Sequence, residues 1–415
     1  GLLTMLLALA LDSNKLIGSI PTELGLLSHL QEMSLFTNQL SSSIPTELGL
    51  LANLSGLYLD GNALVGSIPT ELGLLSRLQE MGLYTNRLSS NIPTELGLLT
   101  MLLALQLDSN KLIGSIPTEL GLLSHLQEMA LFTNQLSSNI PKELGLLTKL
   151  SQLYLHENAL VGRIPTELGL LSRLQEMGLF SNQLSSTLPT ELGLLTKLST
   201  LVLHENALVG SIPTQFGLLS GLQEITLFSN QLSSNIPTEL GWLTKLAFLN
   251  LHKNALVGSI PTELGLLSGL LQEVTLFSNQ LSSSIPSELG LLSGLQGMAL
   301  FSNQLSSNIP TELGLLTKLK QLNLAENVLV GSIPTEVGAL GLLDDLALSA
   351  NFLGSSIPSE MGRLTFLIRL ILFDNALSGT IPTEVGLLTN MVTPPWDTPF
   401  RGLALNGNLL DGNIP

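Results

Sequence analysis

One asparagine returns every 24 residues, and that period constrains the fold more than any other feature of the chain. It stands at Asn14, Asn38, Asn62, Asn86, Asn110, Asn134, Asn158, Asn182, Asn206, Asn230, Asn254, Asn279, Asn303, Asn327, Asn351, Asn375 and Asn408, and fourteen of the sixteen spacings are 24. A compact chain of 415 residues would be expected to hold two or three domains. A fixed period replaces that expectation, because repeat arrays grow in one dimension without new cores. No single coil can bury its own apolar residues; stacking does it.

Each coil reads L-x-x-L-x-x-L-x-L-x-x-N-x-L-x-G/S-x-I-P-x-E-L-G-x, as in LFTNQLSSSIPTELGLLANL at residues 35–54. The L-x-L step before the Asn alternates apolar and polar, the signature of a short strand, here Met33-Ser34-Leu35. Such strands should stack in parallel about 4.8 Å apart. The leucines and the Asn then point inward. A buried amide needs partners, so we expect a ladder in which Asn38, Asn62, Asn86, Asn110, Asn134, Asn158 and their successors bond their own coil and its neighbour. Ile44-Pro45 predicts an extended segment that cannot continue a helix. Thr-Glu-Leu-Gly predicts a short helical or 3₁₀ turn ended by Gly.

These residues resemble the plant-type leucine-rich repeat over essentially the whole chain. The near-uniform TELGLL linkers resemble, more narrowly, the repeat proteins abundant in algae such as diatoms. The resemblance implies an α/β solenoid: a right-handed superhelix with a parallel sheet on its concave side and a second short strand near L-x-G-x-I-P. It also implies binding of proteins, peptides or glycans on the concave side, outside the cell or at its surface. The chain departs from the family pattern in lacking cysteine-paired caps.

Composition excludes several classes. The mean hydropathy of +0.43 would suit a membrane protein, yet Ser, Thr, Asn, Glu and Gly interrupt every coil, and no span is expected within this stretch. GLLTMLLALAL at residues 1–11 looks like part of a signal peptide, but the string returns at residues 97–107 with Gln106 for Ala10, so it reads as a coil. There are no cysteines, hence no disulfides and no thiol chemistry. The net charge of −16 argues against nucleic acid and anionic membranes as partners.

The coils alternate between N-A/K-L-V/I-G-S-I-P and N-Q-L-S-S-x-I-P, giving a unit of 48 residues over most of the array. Residues 1–51 and 97–147 differ at four positions, which reads as recent copying of a 96-residue block. Three irregularities break the pattern. One residue is inserted at Leu270-Leu271, and alternation fails between Asn279 and Asn303. Nine extra residues, VTPPWDTPF at 392–400, enter the last coil as a proline-stiffened loop. Its Trp396 and Phe400 are either a binding loop or a cover for the end of the array. Neither end looks capped, so 1–415 reads as one array that is part of a longer protein, or whose ends stack on neighbours.

Function would be carried by residues around the strand leucines. They supply aromatics (Phe36, Tyr84, Phe132, Phe180, Phe228, Phe277, Phe301) and acids (Glu32, Glu80, Glu128, Glu176, Glu224, Glu273). The other coil type adds Tyr58, Tyr154, Asp60, Asp108, His156, His204 and His252. Rings beside carboxylates suit sugar stacking or basic peptides; alternatively, the rings simply pack along the sheet. Copies two coils apart lie roughly 10 Å from each other. That is too far for a shared metal, so the histidines read as solvated and no metal or cofactor is expected. A periodic face offers no singular desolvated pocket, which argues against catalysis.

A second acid column, Glu23, Glu47, Glu71 and onward, belongs to the convex side, where it suits the start of a helical turn or could gather divalent cations. A Thr column precedes it, from Thr22. The one glycosylation tripeptide is Asn53-Leu54-Ser55.

Two classes of function follow. The first is a structural or adhesive surface protein whose periodic face meets a glycan, a matrix polymer or another copy of itself. The second is a receptor-type ectodomain that recognises one protein or peptide. A single-ligand receptor needs a distinctive patch, so the uniformity of the columns favours the first. Ice or mineral binding is a lesser alternative.

Overall fold

The computed structural model describes residues 5–391 and 402–412. Trp396 and Phe400 therefore lie outside the described residues. The chain divides into two compact units, Gly1–Leu208 and Val209–Pro415, and each is built from the same coil.

In the first unit, three-residue strands run from Ala8–Ala10 to Thr200–Val202 and pair in parallel, each with the next coil. The register is one repeat long: Glu32 lies beside Gly56, and Ser34 beside Tyr58. The regular strand is Glu32–Ser34, one residue earlier than L-x-L predicts. The ladder nevertheless continues through the Leu35 N–H, which donates to the Tyr58 carbonyl at 2.8 Å. The chain then turns at Thr37, whose φ is +52°. A second set of short strands, such as Gln39–Ser42 beside Ala63–Gly66, forms where L-x-G-x-I-P was expected to place it. The second unit repeats this, with sheet strands from Glu224–Thr226 to Gly402–Ala404.

The ladder of amides is as the sequence predicts. The Asn134 amide donates to Leu107 O of the preceding coil at 3.1 Å and to Leu131 O and Phe132 O of its own coil, both at 3.2 Å. Its Oδ1 accepts from the Leu112 N–H of the preceding coil at 2.9 Å. Asn303 does the same in the second unit, through Leu276 O, Leu300 O, Phe301 O and the Leu281 N–H. Around these amides the leucines are sealed from water, Leu57, Leu59, Leu64, Leu72, Leu75 and Leu78 among them.

The convex linkers form 3₁₀ helices such as Thr94–Leu98. Here one expectation is corrected: the Gly does not end the turn but sits inside it. Its role is clearance. A Cβ on Gly97 would stand 2.4 Å from the Glu119 carbonyl oxygen of the next coil. Two columns follow from this packing. Thr and Ser hydroxyls donate to the neighbouring Glu, as from Thr118 to Glu119 at 3.1 Å, and the acids sit in the first turn of these helices, with Gln215 in that place in one. The leucine that follows the Gly in most linkers is left in water, Leu74 at 62% exposure, a stripe that the periodicity did not single out.

The insertion in the second unit is absorbed without loss of register. Leu271 takes the buried core place at 0% exposure and Leu270 is looped out at 54%. Phe248 still pairs with Glu273.

Two predictions test this packing. Asn134→Ala would strand the Leu112 N–H and take one of two amide donors from the Leu107 carbonyl, which Asn110 also serves, and a buried unpaired group costs about 1–3 kcal/mol. Urea unfolding should show a loss of at least ~1 kcal/mol, and Asn134→Leu at wild-type stability would refute the ladder. Gly97→Ala should destabilise by about 1–3 kcal/mol through overpacking. Gly341→Ser, where a Cβ meets nothing within 4 Å, should leave the melting temperature unchanged.

Candidate functional site

The exposed face of each unit's first sheet gathers the residues singled out from the sequence. Strand alternation sends Met33 and Leu35 into the core and leaves Glu32, Ser34 and Phe36 on the open side. Because neighbouring coils are one repeat apart, the two coil types interleave in each column.

In the first unit one column therefore reads Asp12, Phe36, Asp60, Tyr84, Asp108, Phe132, His156, Phe180, His204. Its upper half alternates carboxylate and ring. Asp60 and Asp108 are only 5% and 7% exposed. Burial raises the Asp60 carboxyl, against a hydrogen bond from the Tyr84 hydroxyl. Burial pushes Asp108 up to about 6, against hydrogen bonds from Ser109 and its own backbone. Tyr84 is pushed up to about 12 by burial and by its bond to Asp60. The Ser34 hydroxyl donates to Asp12 at 3.0 Å.

The lower half alternates imidazole and ring. Phe132 and His156 stack at 4.4 Å and 12°, His156 and Phe180 at 4.2 Å and 13°, and Phe180 and His204 at 4.5 Å and 14°. This corrects the expectation of solvated histidines. His156 and His204 stand two coils apart, but Phe180 lies between them and stacks on both. His156 Nδ1 is buried without a well-formed hydrogen bond, and the Gly178 backbone approaches it. Burial lowers both the His156 and the His204 imidazole, so each is neutral at pH 7. Each stacked pair contributes about 0.5–1.5 kcal/mol beyond its burial.

A second column carries the predicted glutamates. Glu32 and Glu80 are exposed; Glu128 and Glu176 are half-buried. Tyr58 donates to Glu80 at 2.6 Å, Tyr154 donates to Glu176, and the Gln106 amide donates to Glu128 at 2.8 Å. Burial and these carboxylates raise both the Tyr58 and the Tyr154 hydroxyl. The nine strands from Ala8–Ala10 to Thr200–Val202 contain no Lys or Arg.

In the second unit Phe228, His252, Phe277 and Phe301 stack at 4.3, 4.1 and 4.3 Å. His252 Nδ1 lies 3.1 Å from the Thr275 hydroxyl. Glu224 and Glu273 stand half-buried in the neighbouring column. Sequence reasoning missed the polar cluster that follows. Lys320 donates to Gln296 at 3.0 Å, and Arg369 pairs with Asp345. The available signal was the failed alternation at Asn303, where Gly297 replaces the expected glutamate. Among the described residues no group of acids, histidines and cysteines has metal-binding geometry.

The pH response of the first unit should carry two opposed contributions. Asp108 is raised above its ordinary 3.8, so its contribution is fully present below 3.8 and is lost as pH rises through about 6. His156 and His204 are lowered from 6.5, so theirs is present above 6.5 and lost as pH falls through the depressed values. Asp108→Asn should therefore stabilise the protein at pH 7 and not at pH 4. Urea unfolding of both proteins across that range checks this; a stability difference independent of pH would refute it.

No protein-family model matches the chain, and no curated protein does. Solved structures do match. A plant peptide hormone receptor, RGFR1 in complex with RGF2, is 35% identical with a TM-score of 0.87, covering 100% of this chain and 72% of that one. The Arabidopsis receptor kinase HAESA, in complex with the peptide hormone IDA and the co-receptor SERK1, is 30% identical with a TM-score of 0.69, covering 99% of this chain and 79% of that one. A leucine-rich-repeat protein of Leptospira interrogans is 33% identical with a TM-score of 0.65, covering 95% of this chain and 88% of that one. The amide ladder, the parallel strands one per repeat and these likenesses agree, and the chain belongs to the leucine-rich-repeat family.

Proposed function

We propose that this chain is a non-enzymatic binding scaffold working outside the cell, and that its open sheet face takes an extended, basic peptide. One observation carries the reading. In the first unit Glu32, Glu80, Glu128 and Glu176 share a column, Asp60 and Asp108 lie in the next, and no strand of that open sheet, from Ala8–Ala10 to Thr200–Val202, supplies a cation. Such a face attracts positive charge and speeds encounter. The stacked rings add a row of apolar edges for a peptide's side chains. The likeness to RGFR1 and HAESA, both solved with peptide hormones, supports an extracellular peptide partner.

A second reading rests on the near-copy of residues 1–51 at 97–147. A face so uniform suits a periodic partner, whether a glycan, a matrix polymer or another copy, in a structural or adhesive role. The near-uniform linkers likewise support the narrower likeness to algal repeat proteins.

Fluorescence anisotropy with labelled arginine–glycine peptides of increasing length tests both readings. The combined variant Glu80→Gln, Glu128→Gln, Glu176→Gln should lose about tenfold in affinity or more, equivalent to ~1.4 kcal/mol. Affinity should also fall with salt, as screening over about 8 Å at physiological ionic strength requires. Equal affinity of variant and parent would refute the acidic face as the site. A steep climb of affinity with peptide length favours the periodic reading; a plateau after a few residues favours one discrete peptide.

A further inference from the structure

The ring stack of the second unit stops at Phe301. Phe277 covers one face of that ring at 4.3 Å and 8°. In the next coil the same column carries Ala325, so only a methyl group stands across from the second face. Beside this half-open ring the sheet also lacks side chains. Gly297 lies between Glu273 and Gln321 in the glutamate column. A Cβ placed on it would meet only Glu273 Cγ, at 3.5 Å. Gly297 stands in a hollow of about 380 Å³ lined by Phe248, Glu273, Phe301, Lys320, Gln321 and Asn323, among others. That volume falls within the range of small-molecule sites.

The chemistry of the walls narrows the occupant. Around the hollow two cations face three carboxylates: Arg369 pairs with Asp345, Lys320 is held by Gln296 at 3.0 Å, both cations act on Asp344, and Glu273 is the third acid. These cations offset most of the negative charge, so a cationic side chain gains less here than on the first unit's sheet, whose strands hold none. What the hollow offers is neutral hydrogen bonding. Gln321 makes no side-chain hydrogen bond among the described residues, and Asn323 uses its Oδ1 to accept from the Ala325 N–H at 3.1 Å, leaving its Nδ2 to donate. Carboxamides supply donor and acceptor together, matching hydroxyls that do the same. An aromatic face carries negative charge that attracts C–H groups.

We propose that this hollow binds a single sugar ring of a glycan. The C–H face of the ring stacks on the open side of Phe301, and its hydroxyls bond Gln321, Asn323 and Glu273. The site is independent of the acidic face of the first unit, and either assignment can fail without the other.

Saturation-transfer NMR on the full chain tests the assignment. The probes are the methyl glycosides of glucose, galactose, mannose and N-acetylglucosamine, with N-acetylarginine amide as the competing chemistry. At least one glycoside should bind. Gly297→Glu restores the residue found at Glu273 and fills the hollow, and the affinity should fall at least tenfold. Because Glu already occupies that strand position elsewhere, the variant should keep the parent's melting temperature. Gln321→Ala, at the rim, should weaken binding severalfold. Arginine–glycine peptide binding to the first unit should be unchanged in both variants. Absence of binding by all four glycosides, glycoside binding that survives Gly297→Glu, or saturation by the arginine amide alone would each overturn the proposal.

Discussion

Each turn of the chain is joined to the turn before it by one side-chain amide. The backbone after every strand bends sharply, as at Thr37 with its φ of +52°. Bending leaves carbonyls and an N–H facing inward, where water cannot reach them. Asn is the side chain that resolves this. Asn38 donates to Leu11 O, Leu35 O and Phe36 O, and it accepts from the Leu16 N–H. Aspartate would bring acceptors to carbonyls that need donors, and an aliphatic residue would leave the Leu16 N–H unpaired and take one donor from each carbonyl. The hydrocarbon around the amide then strengthens these bonds by excluding competing water.

The opposite side of the coil is set by a missing side chain. Gly97 and its equivalents let the backbone of the next coil approach, with Glu119 O within 2.4 Å of a would-be Cβ. Amide ladder and glycine contact together hold both edges of the coil at strand spacing. The same spacing brings equivalent positions of adjacent coils within van der Waals reach, and flat rings exploit it. The stack through Phe132, His156, Phe180 and His204 is thus a consequence of the ladder. Its burial of imidazoles and the burial of Asp108 place titrating groups on an otherwise uniform surface.

The two units present different chemistry on equivalent faces. The first offers carboxylates and rings with no cation in the strands of that sheet. The second interrupts its columns at Gly297 and Ala325 and sets Lys320 and Arg369 among its carboxylates. A surface that looks uniform by count therefore contains one local exception, and exceptions are where a discrete ligand can be told from solvent.

The period of 24, read without coordinates, was enough to determine the coil, the inward Asn, the strand before it and the convex turn. Those features depend on local pattern and on the requirement that buried polar groups be paired, and both are legible in one dimension. Which side chains touch was decided only by the stacked structure. His156 and Phe180 stand 24 positions apart and stack at 4.2 Å, because contact in a solenoid runs across coils and not along them. The role of Gly97 was hidden for the same reason, since its constraint is the backbone of Glu119 in the following coil. So was the hollow at Gly297: the letter change is visible in the sequence, but a cavity exists only where neighbouring coils leave space unfilled.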